Sequence, residues 1–240
     1  MTEDPSTQTP YVEHMPAVTE GFGAIEFAEN PEPRVPCLLL LDTSGSMNGS
    51  PIQELNTGIQ LFKDELMTDS LAAKRVEVAI VTFGSTPSIV QDFVGAQSFE
   101  PPRLQAEGAT AMGAAIEEGL RRLELRKRMY QENGLAYYRP WVFLITDGVP
   151  TDAVSNAANL VREGESRKSF SFYGVGAGQS VDFTRLNAIC PVERPAVKLN
   201  GLRFRELFSW LSKSMSSVSR SAPGTSAVLP APTGWITAAT

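Results

Sequence analysis

Histidine is nearly missing from this chain. Among 240 residues there is one, His14, and it lies in the polar amino-terminal stretch. Catalysis that needs an imidazole base, and zinc sites built on histidines, are thereby disfavoured across the body of the sequence. Cysteine is almost as scarce, with only Cys37 and Cys190. Cys37 sits inside an apolar run, which predicts a buried free thiol and a reducing compartment rather than a disulfide framework. Long apolar runs are lacking too. The longest, Cys37 to Leu41 with its neighbours, falls far short of the ~20 residues that span a bilayer. The first residues, Met1-Thr2-Glu3-Asp4-Pro5, have neither the basic region nor the apolar stretch of a signal peptide. These absences lead to the expectation of a cytoplasmic protein without membrane contact. Excess positive charge is also missing: 27 acidic residues face 21 basic ones, a formal net charge of -6. Nucleic-acid binding, which rests on phosphate neutralisation, is not expected.

What is present is an alternation of apolar strands and amphipathic helices, on a length ample for one α/β domain. Val35 to Leu41 is a continuous apolar run, as in a parallel strand covered on both faces. A helix is expected next, with Ser50 as cap, Pro51 in the first turn and Gln53 closing a capping box. Ile52, Leu55, Ile59, Phe62 and Leu66 form its apolar stripe. Val76 to Phe83 reads as a strand, and Ser88 to Val94 as an antiparallel edge strand returning beside it. Gly108 to Thr110 opens a helix carrying Ile116, Leu120, Leu123 and Tyr130. The basic cluster at its end, Arg121, Arg122, Arg126, Lys127 and Arg128, reads as a solvated face suited to a helix C-terminus rather than as an anion-binding patch. Trp141 to Ile145 is a buried strand. Thr151 or Asp152 is expected to cap a helix with Val154, Ala157, Ala158 and Val161. Phe170 to Val175, Phe183 to Ala188 and Ala196 to Leu199 read as strand, short helix and strand. Phe204, Leu207, Phe208, Leu211 and Met215 face the core from a closing helix. The expected architecture is a Rossmann-like, doubly wound, mostly parallel sheet with one antiparallel edge strand and helices on both faces.

Three parts are expected: a flexible acidic leader at 1–20, the domain at 21–220 with a short strand over Gly21 to Phe27, and a tail at 221–240. The tail has no charge but contains Pro223, Pro230, Pro232 and Trp235. It reads either as disordered, so that deletion after Arg220 leaves folding intact, or as a segment docked on the domain or on a partner.

The chemistry is concentrated at strand ends. Asp42-x-Ser44-x-Ser46 follows the first strand, Thr110 lies in a loop entering a helix, and Asp147 precedes Gly148 at the end of another strand. In a doubly wound sheet these ends share the side where ligands bind. Hydroxyl and carboxylate oxygens are hard ligands, which select Mg²⁺ or Mn²⁺ over Zn²⁺. Two carboxylates balance a divalent ion and leave positions for water or for an outside carboxylate. Other signals fail. Gly174-x-Gly176-x-Gly178 has Gln179 where a dinucleotide fingerprint needs its last glycine. No phosphate-binding loop is present. A phosphatase of the haloacid dehalogenase type needs a second Asp where Ser44 stands.

With those residues in place, the chain resembles von Willebrand factor A domains over roughly Pro33 to Ser219. Asp42, Ser44, Ser46, Thr110 and Asp147 match that family's metal-ion-dependent adhesion site (MIDAS). The resemblance implies that Ser44 and Ser46 bind the ion directly, Thr110 directly or through water, and Asp42 and Asp147 often through water. It implies a non-enzymatic module that captures an acidic side chain of a partner protein. Residues 142 to 152, Gly174 to Gly178 and Phe204 to Ser212 are similar to bacterial intracellular TerY-like proteins of tellurite-resistance and stress systems, which implies protein kinase and phosphatase partners. A subunit serving an AAA+ ATPase is the alternative within the fold, and a metal-dependent hydrolase the alternative outside it.

Overall fold

The computed structural model describes Phe27 and residues 29–178, 180–225 and 227–238. The acidic leader, and the strand expected over Gly21 to Phe27 apart from Phe27 itself, lie outside the described residues. The elements in chain order are β1 (Val35–Asp42), α1 (Ser50–Thr68), α2 (Ser70–Arg75), β2 (Val76–Phe83), β3 (Pro87–Gly95), α3 (Met112–Glu132), β4 (Trp141–Thr146), α4 (Ser155–Ser166), β5 (Ser171–Ala177), α5 (Phe183–Ile189), β6 (Val197–Leu199), α6 (Phe204–Ser219) and β7 (Ile236–Ala238). They build one seven-stranded sheet in the order β3-β2-β1-β4-β5-β6-β7. The central pairs are parallel. β3 is the antiparallel edge strand expected from the sequence, and β7 forms a second antiparallel edge against β6.

Every residue of β1 and β2 is buried, because helices cover both faces of the sheet. Cys37, Leu39 and Leu41 of β1 point into one core layer with α1 and α6. Leu38 and Leu40 point into the other, with α3, α4 and α5. Alternate side chains of one strand thus feed two cores, which is why the run reads as continuously apolar. α1 and α6 approach closely at Gly58, where an added Cβ would lie 2.5 Å from Phe208 Cδ2. Both cysteines are free and buried, and burial pushes the Cys190 thiol up to about 12. Gly174 and Gly176 make room for α5: a Cβ at these positions would lie 2.4 Å from Cys190 Sγ and 2.6 Å from Phe183 Cζ. The first two glycines of the triplet are therefore a packing device, and the third, Gly178, takes a positive φ of 87°.

Several local readings are corrected. Gly49, not Ser50, is the N-cap of α1, and no side-chain cap bond forms there, so the capping box is not made. Asp152 does not cap α4. It accepts from the backbone amides of Gly113 and Ala114 at 3.0 and 2.8 Å and so closes the amino end of α3. Helix α2 has no apolar stripe to announce it and forms because Asp69 caps it through the amides of Leu71 and Ala72. The basic end of α3 is not uniformly solvated. Arg121 and Arg122 pair with Glu118, but Arg126 and Lys127 are buried. Arg126 Nε lies 2.7 Å from Glu77, a fully buried carboxylate in β2 that also accepts from Arg34 at 2.8 Å and from the Tyr130 hydroxyl.

The tail packs on the domain. Trp235 is 7% exposed and joins the α1/α6 core layer. Trp210 Nε1 of α6 donates to the carbonyl of Pro230 at 2.7 Å, and Arg203 donates to the carbonyl of Gly234 at 2.6 Å. The amide of Asn200 donates to the carbonyl of Trp235 at 2.9 Å. The uncharged stretch is therefore a strap that crosses α6 and ends as β7. Burial of one tryptophan supplies about 3 kcal/mol. Trp235→Ala is expected to lower the melting temperature by roughly 6–12 °C, and deletion after Arg220 by at least as much. Unchanged thermal melting of both variants by circular dichroism would refute this account of the strap.

Candidate metal centre

β1 is flanked by β2 and β4, so the connections leave it in opposite directions. The crevice of a doubly wound sheet opens at such a point, beyond the carboxyl ends of the strands. Asp42 is the last residue of β1 and Asp147 follows the last residue of β4. Thr110 arrives from the segment before α3, which is tied to both strands. The amide of Glu107 donates to the carbonyl of Thr43 at 2.8 Å, and that of Gly45 to the carbonyl of Gly108 at 2.9 Å. Thr110 and Thr151 exchange two bonds: Thr151 N to the Thr110 carbonyl at 2.9 Å, and Thr110 N to Thr151 Oγ1 at 3.1 Å.

All five sequence-predicted residues meet here. Ser44 Oγ and Ser46 Oγ are 3.0 Å apart, and Ser46 Oγ donates to Asp147 Oδ1 at 2.7 Å. A Cβ built on Gly148 would lie 3.5 Å from Ser46 Oγ, 3.5 Å from Thr110 Oγ1 and 3.7 Å from Asp42 Oδ2. One point thus faces oxygens from three separated segments, and the absent side chain of Gly148 keeps it free. Asp42, Ser44, Thr110 and Asp147 are buried, whereas Ser46 is exposed, so the cradle opens to solvent on the Ser46 side.

Asp42 is oriented by the chain itself. Its Oδ1 accepts from the amide of Ser44 at 2.8 Å, and its Oδ2 from the hydroxyl of Thr146 at 2.5 Å. Thr146 in turn accepts from the amide of Gly148 at 3.1 Å. Sequence reading missed Thr146; its one signal is a hydroxyl ending the otherwise apolar Val142-Phe143-Leu144-Ile145. With both oxygens engaged, Asp42 suits contact with an ion through water better than direct contact. Desolvation raises the pKa of Asp42, opposed by its bonds to Ser44 and Thr146, and the Asp147 charge adds to the rise. Desolvation likewise raises Asp147, opposed by the Ser46 hydrogen bond. Among the described residues neither carboxylate has a Lys or Arg partner within 4.0 Å.

The Ser44–Ser46 separation of 3.0 Å is a hydrogen-bond distance, and it is also compatible with two neighbouring ligands at about 2.1 Å from a small octahedral cation. The donor set is hydroxyl-rich: among the described residues no cluster of three or more His, Cys, Asp or Glu side chains exists. Hard oxygens with two carboxylates suit Mg²⁺ or Mn²⁺.

This is an α/β domain whose crevice gathers two carboxylates and three hydroxyls at the switch point of its sheet. The chain belongs to the von Willebrand factor type A domain family, whose model matches residues 38–205. None of the curated proteins compared matches the sequence. Solved structures do. The pilus adhesin SpaC from Lactobacillus rhamnosus GG is similar at a TM-score of 0.60 and 14% identity, over 78% of this chain and 31% of that one. Proximal thread matrix protein 1 from the mussel byssus, in a form with a zinc-occupied MIDAS motif, is similar at a TM-score of 0.52 and 15% identity, over 77% of this chain and 48% of that one. Manganese-loaded TRAP protein from Plasmodium vivax is similar at a TM-score of 0.51 and 22% identity, over 72% of this chain and 71% of that one. The chain spans half or less of the length of the first solved structures it matches.

Ser44→Ala/Ser46→Ala and, separately, Gly148→Ala are expected to abolish Mg²⁺ and Mn²⁺ binding in calorimetry with little change in thermal stability; wild-type affinity in either variant would rule out this centre. Raised carboxyl pKa values mean that the folded chain takes up protons before the unfolded one does. Metal affinity is therefore expected to fall as pH drops, beginning above the ordinary aspartate range, while the metal-free protein gains stability over the same interval. A metal affinity that stays flat until the ordinary aspartate range would contradict this.

Proposed function

We propose that this protein is a metal-ion-dependent interaction module, not an enzyme. Asp42, Ser44, Ser46, Thr110 and Asp147 hold Mg²⁺ or Mn²⁺ there, and the remaining coordination position takes an Asp or Glu of a partner protein. The observation that carries this reading is the cradle beside Gly148, where hydroxyls from two loops and paired carboxylates surround one solvent-open point. The ion supplies a positive charge that the two carboxylates balance without saturating its coordination. Asp42 and Thr146 hold the serine loop in place, and Ser46 marks the open side. Against a hydrolase stands the lack, among the described residues, of any imidazole and of a base at the site beyond the carboxylates already engaged.

The partner is assigned to a bacterial stress or tellurite-resistance system, with a protein kinase and a phosphatase among the candidates. That reading rests on the TerY-like segments Val142 to Asp152, Gly174 to Gly178 and Phe204 to Ser212. A cytoplasmic site of action is supported by the two buried free thiols, and no helix among the described residues is long and apolar enough to cross a membrane. The domain is taken as residues 21–220 together with the strap that follows.

A pull-down from the native host, with and without EDTA, tests the module. Wild type is expected to retain a partner only in the presence of metal, and Asp42→Ala to retain none. Equal retention in EDTA, or phosphoester hydrolysis that vanishes in Asp42→Ala, would replace this reading.

A further inference from the structure

A groove of about 790 Å³ begins at the rim of the metal centre and runs down one side of α1. Its near end is formed by Asn48, two residues past Ser46, and by Ala106, two residues before Gly108. One wall is the face of α1 that carries Ile52, Gln53, Asn56 and Gln60; the other is the segment from Arg103 to Ala106. That second wall is fixed. Pro101 and Pro102 favour an extended chain, and the Asn56 amide grips both backbone polar groups of Leu104, donating at 2.9 Å and accepting at 2.8 Å. The groove is thus preformed and lined by side-chain amides, which suit an extended backbone that brings its own unpaired N–H and C=O groups.

Its charge points to the occupant. Arg103 lies on the segment wall, and Arg205 reaches the groove from α6. Arg103 is exposed and has no carboxylate within 4.0 Å among the described residues. Arg205 is 62% exposed, and its one carboxylate contact, Glu54, is at 4.0 Å. The acidic lining residue, Asp64, lies at the far end and accepts from Gln60 at 2.9 Å. Two under-used arginines on a protein of net charge -6 mark a place for a carboxylate.

We infer that the groove binds an extended segment of the partner protein that carries a second acidic residue, facing Arg103 and Arg205, in addition to the one on the metal. This rests on the metal-dependent reading of the neighbouring centre. The helix rises about 9 Å from Ser50 to Asn56, so the two acidic residues stand about three residues apart in an extended chain at about 3.3 Å per residue.

Selection of linear twelve-residue peptides from a displayed library, on the full chain in Mn²⁺, tests this. Binders of the wild type are expected to share an Asp or Glu followed or preceded, about three residues away, by a second one. Arg103→Glu/Arg205→Glu, which melts like wild type, is expected to bind those peptides at least about tenfold more weakly. Its own selection is expected to return Lys or Arg at the second position and to keep the first acid. Retention of the wild-type peptides within about twofold by the charge-reversed protein would overturn the groove assignment. Peptides that lose affinity on charge reversal but bind equally in EDTA would keep the groove and remove the metal reading. Competition by a synthetic peptide of residues 1–20 at the affinity of the selected binders would overturn the partner assignment in favour of this chain's own leader.

Discussion

The constraint on which this site depends is a carboxylate buried at the end of the central strand. Asp42 has no exposure, sits at the end of a fully buried strand, and is held by an amide and a hydroxyl rather than by a cation. Burying a charge is costly unless something answers it. The same sheet shows the other solution at its opposite end. Glu77, also without exposure, stands near the start of β2 and is answered by Arg34, Arg126 and Tyr130. One end of the sheet is thus closed by its own guanidinium groups. The other keeps a pair of carboxylates that the described residues leave without a basic partner, and that asymmetry is what makes a divalent ion the fitting third party.

Much of this was legible in the sequence. The central strands are fully apolar runs because each feeds two core layers, so they stand out without any periodicity. Each site segment alone reads as an ordinary turn or cap, and the site stands out because all three occur in one chain, each at a strand end or helix start. The rest was hidden in bonds that span sequence. Asp152 looks like the cap of the helix that follows it, yet it caps α3 from 38 and 39 residues away. Nothing local distinguishes those two roles. Thr146 hides in the same way, since its bond to Asp42 joins two strands that are neighbours only in space.

The tail was illegible for a different reason. Three residues of strand preceded by prolines have no pattern of their own, and β7 exists because β6 offers an unpaired edge. The apolar character of Trp235 and Ile236 was the visible hint, but the surface that receives them is made by α6 and by strands far earlier in the chain. The interlocked loops around the site were hidden likewise: Thr110 with Thr151, and Glu107 with Thr43, act as cross-braces that set the positions of the serines and aspartates before any ion arrives. Such preorganisation lets weak individual ligands act together.

The aromatic packing has an optical consequence. The chain's three tryptophans form a single group, with ring centroids 6.2 Å apart between Trp141 and Trp210 and 5.8 Å apart between Trp210 and Trp235. Trp141 opens β4, whereas Asp147 follows its end, about 20 Å further along the strand. Ultraviolet emission from this protein is therefore one collective signal from the strap, α6 and the far end of the sheet. It reports faithfully on whether the tail is seated, and the crevice that gathers the serines and aspartates is spectroscopically dark.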